Sequence, residues 1–240
     1  MPIKKQTKNP KGTRASATYA KLQKFLNKQF PKVTTALVYK TPLQLLVATI
    51  MSAQCTDTLV NKVTPALFKK YPDTQAFAKA NLAQLQKDLY PVTFYNNKAK
   101  SIKRAAEIIV AKYKGKVPKT LDELIELPGV ARKTANVVLG HAYGITSGFV
   151  VDTHVIRTAL RYGFSHSKDP VHIEQDMMSL VLKKNWIKTA DQLIWFGRKI
   201  CTARFDKCHL YPIVKDLCPE AKKFKNKTTP KNLSASNKKK

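Results

Sequence analysis

From residue 16 to residue 201 apolar residues recur at helical spacing, and the repeat is interrupted almost only at proline or glycine. That pattern restricts the chain to a stack of helices with short connections. Residues 16–30 carry Tyr19, Leu22, Phe25 and Leu26 on one stripe with lysines opposite, and Pro31 ends the run. Residues 42–54 open with Pro42, favourable in a first turn, and are apolar almost all round, which predicts a buried helix. Further helices are predicted over 56–70, 80–90, 96–114, 120–126, 131–143, 153–162, 171–184 and 189–201, with breaks at Pro72, Pro91, Pro118, Pro128, Gly144 and Pro170. Only GFVV at 148–151 has a β-branched character, so the expected class is all-α, without internal repeats.

Charge indicates what such a stack would meet. The 240 residues hold 44 Lys and Arg against 15 Asp and Glu, a formal net charge of +29. Two low-complexity tails, 1–14 and 219–240, carry part of the excess and are expected to be disordered. The chain between them keeps about 31 basic against 14 acidic residues, so a folded surface must carry positive charge, which suits a polyanion. No run approaches the roughly 18 apolar residues of a membrane span, and the N-terminus lacks a secretion signal's apolar core. The expected compartment is the cytoplasm. In that reducing setting the cysteines near the C-terminus, Cys201, Cys208 and Cys218, suggest metal binding more readily than disulfides.

The chemistry is concentrated between residues 127 and 154. Leu127-Pro128-Gly129-Val130-Ala131 joins two predicted helices by a turn short enough to form a helix-hairpin-helix, with backbone N–H groups placed to hold a phosphate. Arg132 and Lys133 follow in the first turn of the next helix, where cations are electrostatically misplaced unless an anion sits there. Asp152 comes 19 residues after Lys133, where the chain can fold back towards it. An Asp-Thr pair before an apolar helix is also a good N-cap, and one carboxylate can both cap and face a pocket.

LPGVARKTANVVLGHAYG with VDTHVIR resembles the endonuclease III family of base-excision DNA glycosylases, within the helix-hairpin-helix superfamily. The similarity extends through LLVATIMSAQCTDTLVNK at 45–62 and FYNNKAKSI at 94–102, and covers roughly residues 18–218. It implies a two-lobed all-α helix-hairpin-helix glycosylase fold with a cleft between the lobes, one built from 35–147 and the other from 15–34 with 148–218. It further implies a monomeric bifunctional glycosylase and AP lyase acting on double-stranded DNA that contains damaged pyrimidines or abasic sites. Lys133 matches the family's Schiff-base nucleophile and Asp152 its catalytic carboxylate. Gln54 matches the residue that fills the space vacated by a flipped nucleotide, and Phe94 stands where an apolar wedge, commonly leucine, is expected. Tyr95 and Asn96 fit a Tyr-Asn pair. Lys98 is a candidate phosphate contact, and Gly129, Ala131, Arg132, Thr134 and His154 complete the expected DNA-binding set.

Two features depart from the family pattern. The family's 4Fe-4S loop has four cysteines spaced C-x6-C-x2-C-x5-C, whereas here Cys201 and Cys208 keep the first interval, Tyr211 takes the third position and Cys218 comes one residue late. A cluster held by three thiolates and a fourth ligand such as His209, another metal, and no metal all remain open; Cys55, in SAQCTD, is expected far from this loop. Ala131 stands where the hairpin commonly has its second glycine. The competing readings are a helix-hairpin-helix glycosylase of different base preference, a non-catalytic DNA-binding module, and an iron-sulfur or zinc protein whose charge is incidental. Adenine-excising relatives typically lack a lysine at position 133 and add a C-terminal domain, which argues against the first.

Overall fold

The computed structural model describes residues 14–204 and 207–218, and among them it is entirely helical. The elements are α1 (Arg14–Gln29), α2 (Pro42–Ser52), α3 (Asp57–Lys70), α4 (Thr74–Lys79), α5 (Leu82–Leu89), α6 (Tyr95–Tyr113), α7 (Leu121–Ile125), α8 (Arg132–Tyr143), α9 (Thr153–Tyr162), α10 (Pro170–Leu180), α11 (Trp186–Lys199) and α12 (Pro212–Leu217). Seven of these helices start at a side chain that accepts a hydrogen bond from their own first turn: Thr41, Thr56, Asp73, Asn81, Thr120, Asp152 and Asp169. Neither α6, which starts after Phe94, nor α8, which starts after Ala131, has such a cap.

Helix packing falls into two groups. Around α2, buried from Leu45 to Met51 as its apolar sequence predicts, pack α3, α6 and α8; α4 and α5 lean on α6, and α7 on α8. The second group gathers α1 from the N-terminal side with α9, α10, α11 and α12. Gln192 of α11 helps bind α1, donating to Asn27 Oδ1 and Phe30 O and accepting from Gln23 Nε2 at 2.7 Å. The groups meet where α8 runs against α11: a Cβ on Gly140 would stand 3.2 Å from Ile187 Cγ1, so a glycine lets the two helices approach closely.

GFVV forms no strand among the described residues, in keeping with the expected all-α class. Several helix bounds need correction. The helix expected over 171–184 stops at Leu180, and α11 begins at Trp186 rather than 189, because the Trp186 indole donates to Val181 O at 2.8 Å and closes a corner there. Two short helices, α4 and α12, were not foreseen. Arg14, counted in the first tail, is the first residue of α1; residues 1–13 and 219–240, and with them the expectation that the tails are disordered, lie outside the described residues.

Candidate active site

The seam between the two groups holds a hollow that both Lys133 and Asp152 line. Lys133 stands in the first turn of α8, exposed, on the same flank as Val137 and His141. Asp152 stands at the start of α9, and its Oδ1 accepts from the backbone N–H of His154 at 2.8 Å and of Val155 at 2.9 Å. One oxygen therefore caps the helix while Oδ2 keeps its lone pairs free of any partner among the described residues, so the capping and pocket-facing roles coexist. The rest of the wall comes from Thr49 and Ser52 of α2, Asp57 of α3, the 34–37 segment, and Asp191, Trp195 and Arg198 of α11.

These wall residues also bridge the lobes, and sequence reasoning did not single them out. Arg198 Nη2 pairs with Asp57 Oδ2 at 2.8 Å, and His141 Nε2 stands 3.2 Å from Asp191 Oδ1 with both side chains buried. Burial raises the Asp191 carboxyl above its ordinary range, and His141 partly offsets the shift. Within the second lobe, the Trp195 indole donates to Thr34 O at 2.9 Å. Polar residues on the otherwise apolar faces of α8 and α11 were the available signal.

The hairpin has a packing reason for its glycine as well as a conformational one. Gly129 has φ +80°, and a Cβ there would lie 2.9 Å from Ser101 Cβ and 3.5 Å from Ile50 Cγ2, so the turn sits directly on α6 and α2. Ala131, the N-cap residue of α8, is extended and offers no side-chain acceptor, which leaves the first-turn N–H groups open to a phosphate. Arg132 departs from expectation: its Nε donates to Glu174 Oε2 at 2.6 Å, so the anion it needs is supplied by the protein. Glu174 is buried and also accepts from Asn136 Nδ2 at 3.0 Å. Thr134 follows, half-buried.

Gln54 and Phe94 are both exposed and both left-handed, with φ 51° and 57°. That conformation is costly for a non-glycine residue, and it thrusts each side chain out of the turn that carries it. Phe94 is 59% exposed, which removes a core role for its ring. Tyr95 packs edge-on to Tyr90, and Asn96 is exposed. Lys98 corrects the expectation of a phosphate contact: it is 7% exposed, and its ammonium donates to Met51 O and Ala53 O. Desolvation holds that amine below the ordinary lysine range. His154 is half-buried and does not line the hollow; Arg157 Nη2 donates to its Nδ1 at 3.0 Å, since a guanidinium can only donate.

The cysteine loop lacks the four-thiolate set of the cluster that the resemblance implies. Cys201, Cys208 and Cys218 are buried, but Tyr211 turns its ring edge-on to Phe25 at 5.7 Å, as a packing residue. The side chain of His209 lies outside the described residues. No three His, Cys, Asp or Glu side chains among the described residues stand close enough together to hold one metal ion. The Tyr162 hydroxyl is buried without a hydrogen-bond partner among the described residues, and that burial pushes its ionisation well above the ordinary phenol range. This donor set does not fit a four-thiolate cluster.

An all-helical two-lobed frame, a hairpin turn and a lysine and aspartate facing one hollow define a class, and residues 47–183 match the HhH-GPD superfamily of base excision DNA repair proteins. The chain is 48% identical over 196 residues to an endonuclease III of Synechocystis sp., covering 82% of this chain and 89% of the relative, and 43% identical over 195 residues to that of Bacillus subtilis, covering 81% and 88%. The solved structure of a trapped endonuclease III-DNA covalent intermediate, an estranged-adenine complex, superposes with a TM-score of 0.82 at 39% identity, covering 88% of this chain and 98% of that one. The chain belongs to the endonuclease III family.

Proposed function

We propose that this chain is a bifunctional DNA glycosylase and AP lyase of base excision repair, acting as a cytoplasmic monomer on oxidised pyrimidines and abasic sites in duplex DNA. One observation carries the reading: Lys133 and Asp152, from different helices, line the same hollow at the lobe seam. The lobes are taken as 35–147 and 15–34 with 148–218, a division supported by the way the helices pack. No helix among the described residues is long and apolar enough to cross a membrane.

In this reading the damaged nucleotide leaves the stack and enters the hollow, with the flanking phosphate on the N–H groups that open α8. The unprotonated Lys133 amine attacks C1′; the glycosidic bond breaks, and the base departs with its electron pair and takes up a proton. Asp152 Oδ2 steadies the positive charge that develops on the sugar and assists proton transfer. The attacking amine loses a proton, the C1′–O4′ bond breaks with O4′ taking up a proton while the nitrogen lone pair forms the C1′=N iminium, loss of a C2′ proton then expels the 3′ phosphate, and the strand is cut. Gln54 fills the vacated space opposite the estranged base, and Phe94 stacks in the duplex. No step is routed through the cysteine loop.

The test is covalent. Borohydride should trap the wild-type protein on duplex DNA carrying thymine glycol or an abasic site, by reducing the iminium. Lys133→Gln should give no trapped species while still binding that DNA. Equal trapping by the variant would remove Lys133 as the nucleophile, and a wild-type protein that binds without trapping or incision would be a DNA-binding module.

A further inference from the structure

We infer that Lys98 is a positioning residue, a clasp that holds the turn bearing Gln54 and the turn bearing Phe94 as one rigid wedge; this rests on the proposed roles of Gln54 and Phe94. The ammonium donates to Met51 O at 2.7 Å and to Ala53 O at 2.6 Å, three residues and one residue before Gln54, while Lys98 N donates to Phe94 O at 3.1 Å in the first turn of α6. A single side chain thus joins the end of α2 to the start of α6.

Backbone accounting explains why an amine is needed. The final carbonyls of α2 have no partner within their own helix. Thr49 O accepts from Ser52 Oγ, Ile50 O from Ala53 N and Ser52 O from Cys55 N, which leaves Met51 O to Lys98. A cation at this point also meets the negative end of the α2 dipole, which offsets part of the cost of burying it. The two residues it secures are both left-handed, and strained conformations of that kind persist only where surrounding contacts over-determine them. With its donors committed to two carbonyls and its side chain buried, Lys98 acts on DNA through the residues it places.

The test uses the full-length protein with Lys98→Met, which keeps most of the stem and removes the donors. Single-turnover excision of thymine glycol from duplex DNA should fall roughly tenfold or more, because misplacing a positioning group is costly. β-Elimination at an abasic site in single-stranded DNA, which needs no wedge, should stay within about twofold. The salt dependence of duplex binding should keep its wild-type slope. A slope reduced by about one would identify a phosphate contact and overturn the clasp. In a Gln54→Ala/Phe94→Ala background, Lys98→Met should add no further loss; a full additional tenfold loss there also overturns it. If the double variant itself excises like wild type, the wedge reading fails and the clasp falls with it. Duplex excision at the wild-type rate in Lys98→Met also overturns the proposal; should Lys98→Met lose single-strand lyase activity as well, Lys98→Gln, which restores one donor, should recover duplex excision at least in part, and a Lys98→Gln that regains single-strand cleavage but no duplex excision overturns it too.

Discussion

At the residue scale, Asp152 has two duties that substitution can separate. Asparagine caps a helix about as well as aspartate, whereas alanine costs about 1 kcal/mol. Asp152→Asn should therefore melt close to wild type while duplex excision falls by about 10²–10⁴-fold, the usual worth of a general acid or base. Asp152→Ala should lose both activity and about 2–4 °C in Tm. A near-wild-type excision rate for Asp152→Asn would leave the side chain only its cap. His154 supplies the matching pH prediction. Burial pushes its imidazole below the ordinary value; Asp152 and the Gly197 carbonyl oppose the shift, and Arg157 and Arg198 add to it. The folded protein thus resists a proton that the unfolded chain accepts near pH 6.5, so the stability contributed by neutral His154 is present above that pH and is lost as pH falls towards the depressed folded value. Thermal melts from pH 7.5 to 5 should show a Tm that declines with pH, and a shallower decline in His154→Gln.

At the element scale, the hairpin is the most constrained piece. Gly129→Ala meets both a left-handed backbone and Ser101 at 2.9 Å, a cost of about 1–3 kcal/mol, readable as a lowered denaturation midpoint. That turn was legible because proline and glycine punctuate a helical repeat and the residues after them carry charge. The long helices were legible for the same reason: α2 is apolar all round and buried, and α9 runs over the residues its pattern predicts. What stayed hidden depends on tertiary partners. Helices α4 and α12 have only six residues each, too few to show a period. The β-branched character of GFVV belongs to a buried connection, Phe149 to Val151, which such residues fill as readily as they fill a sheet. At the site, Lys133 and Asp152 line one hollow and Gln54 and Phe94 stand on exposed turns, an arrangement the motifs make legible, whereas the partners of Arg132 and Lys98 are not, because a basic side chain in a cationic sequence does not disclose its buried acceptor, Glu174 in one case and two backbone carbonyls in the other.

At the scale of the whole molecule, the lobes are held at the seam by Arg198–Asp57, His141–Asp191 and the Glu174 contacts to Arg132 and Asn136, so the wall of the hollow is also the brace between lobes. The second lobe must in turn be closed at its C-terminal end, and a metal cluster is one way of doing so. Among the described residues at that end, Val214 is fully buried and Cys201, Cys208 and Cys218 are buried, Tyr211 leans on Phe25, and Arg161 Nη1 reaches Cys201 Sγ at 3.3 Å and Thr202 O at 2.7 Å, a set of contacts that needs no metal. A structural metal contributes its binding free energy to folding, so a fold that depends on one is destabilised by chelators. This protein is predicted to purify colourless, without stoichiometric iron or zinc, and to keep its Tm and its incision rate after prolonged treatment with a strong chelator. A brown protein containing four irons whose Tm falls on chelation would mean that three cysteines and a further ligand had assembled a cluster after all, and that the packing around Tyr162 rearranges to admit it.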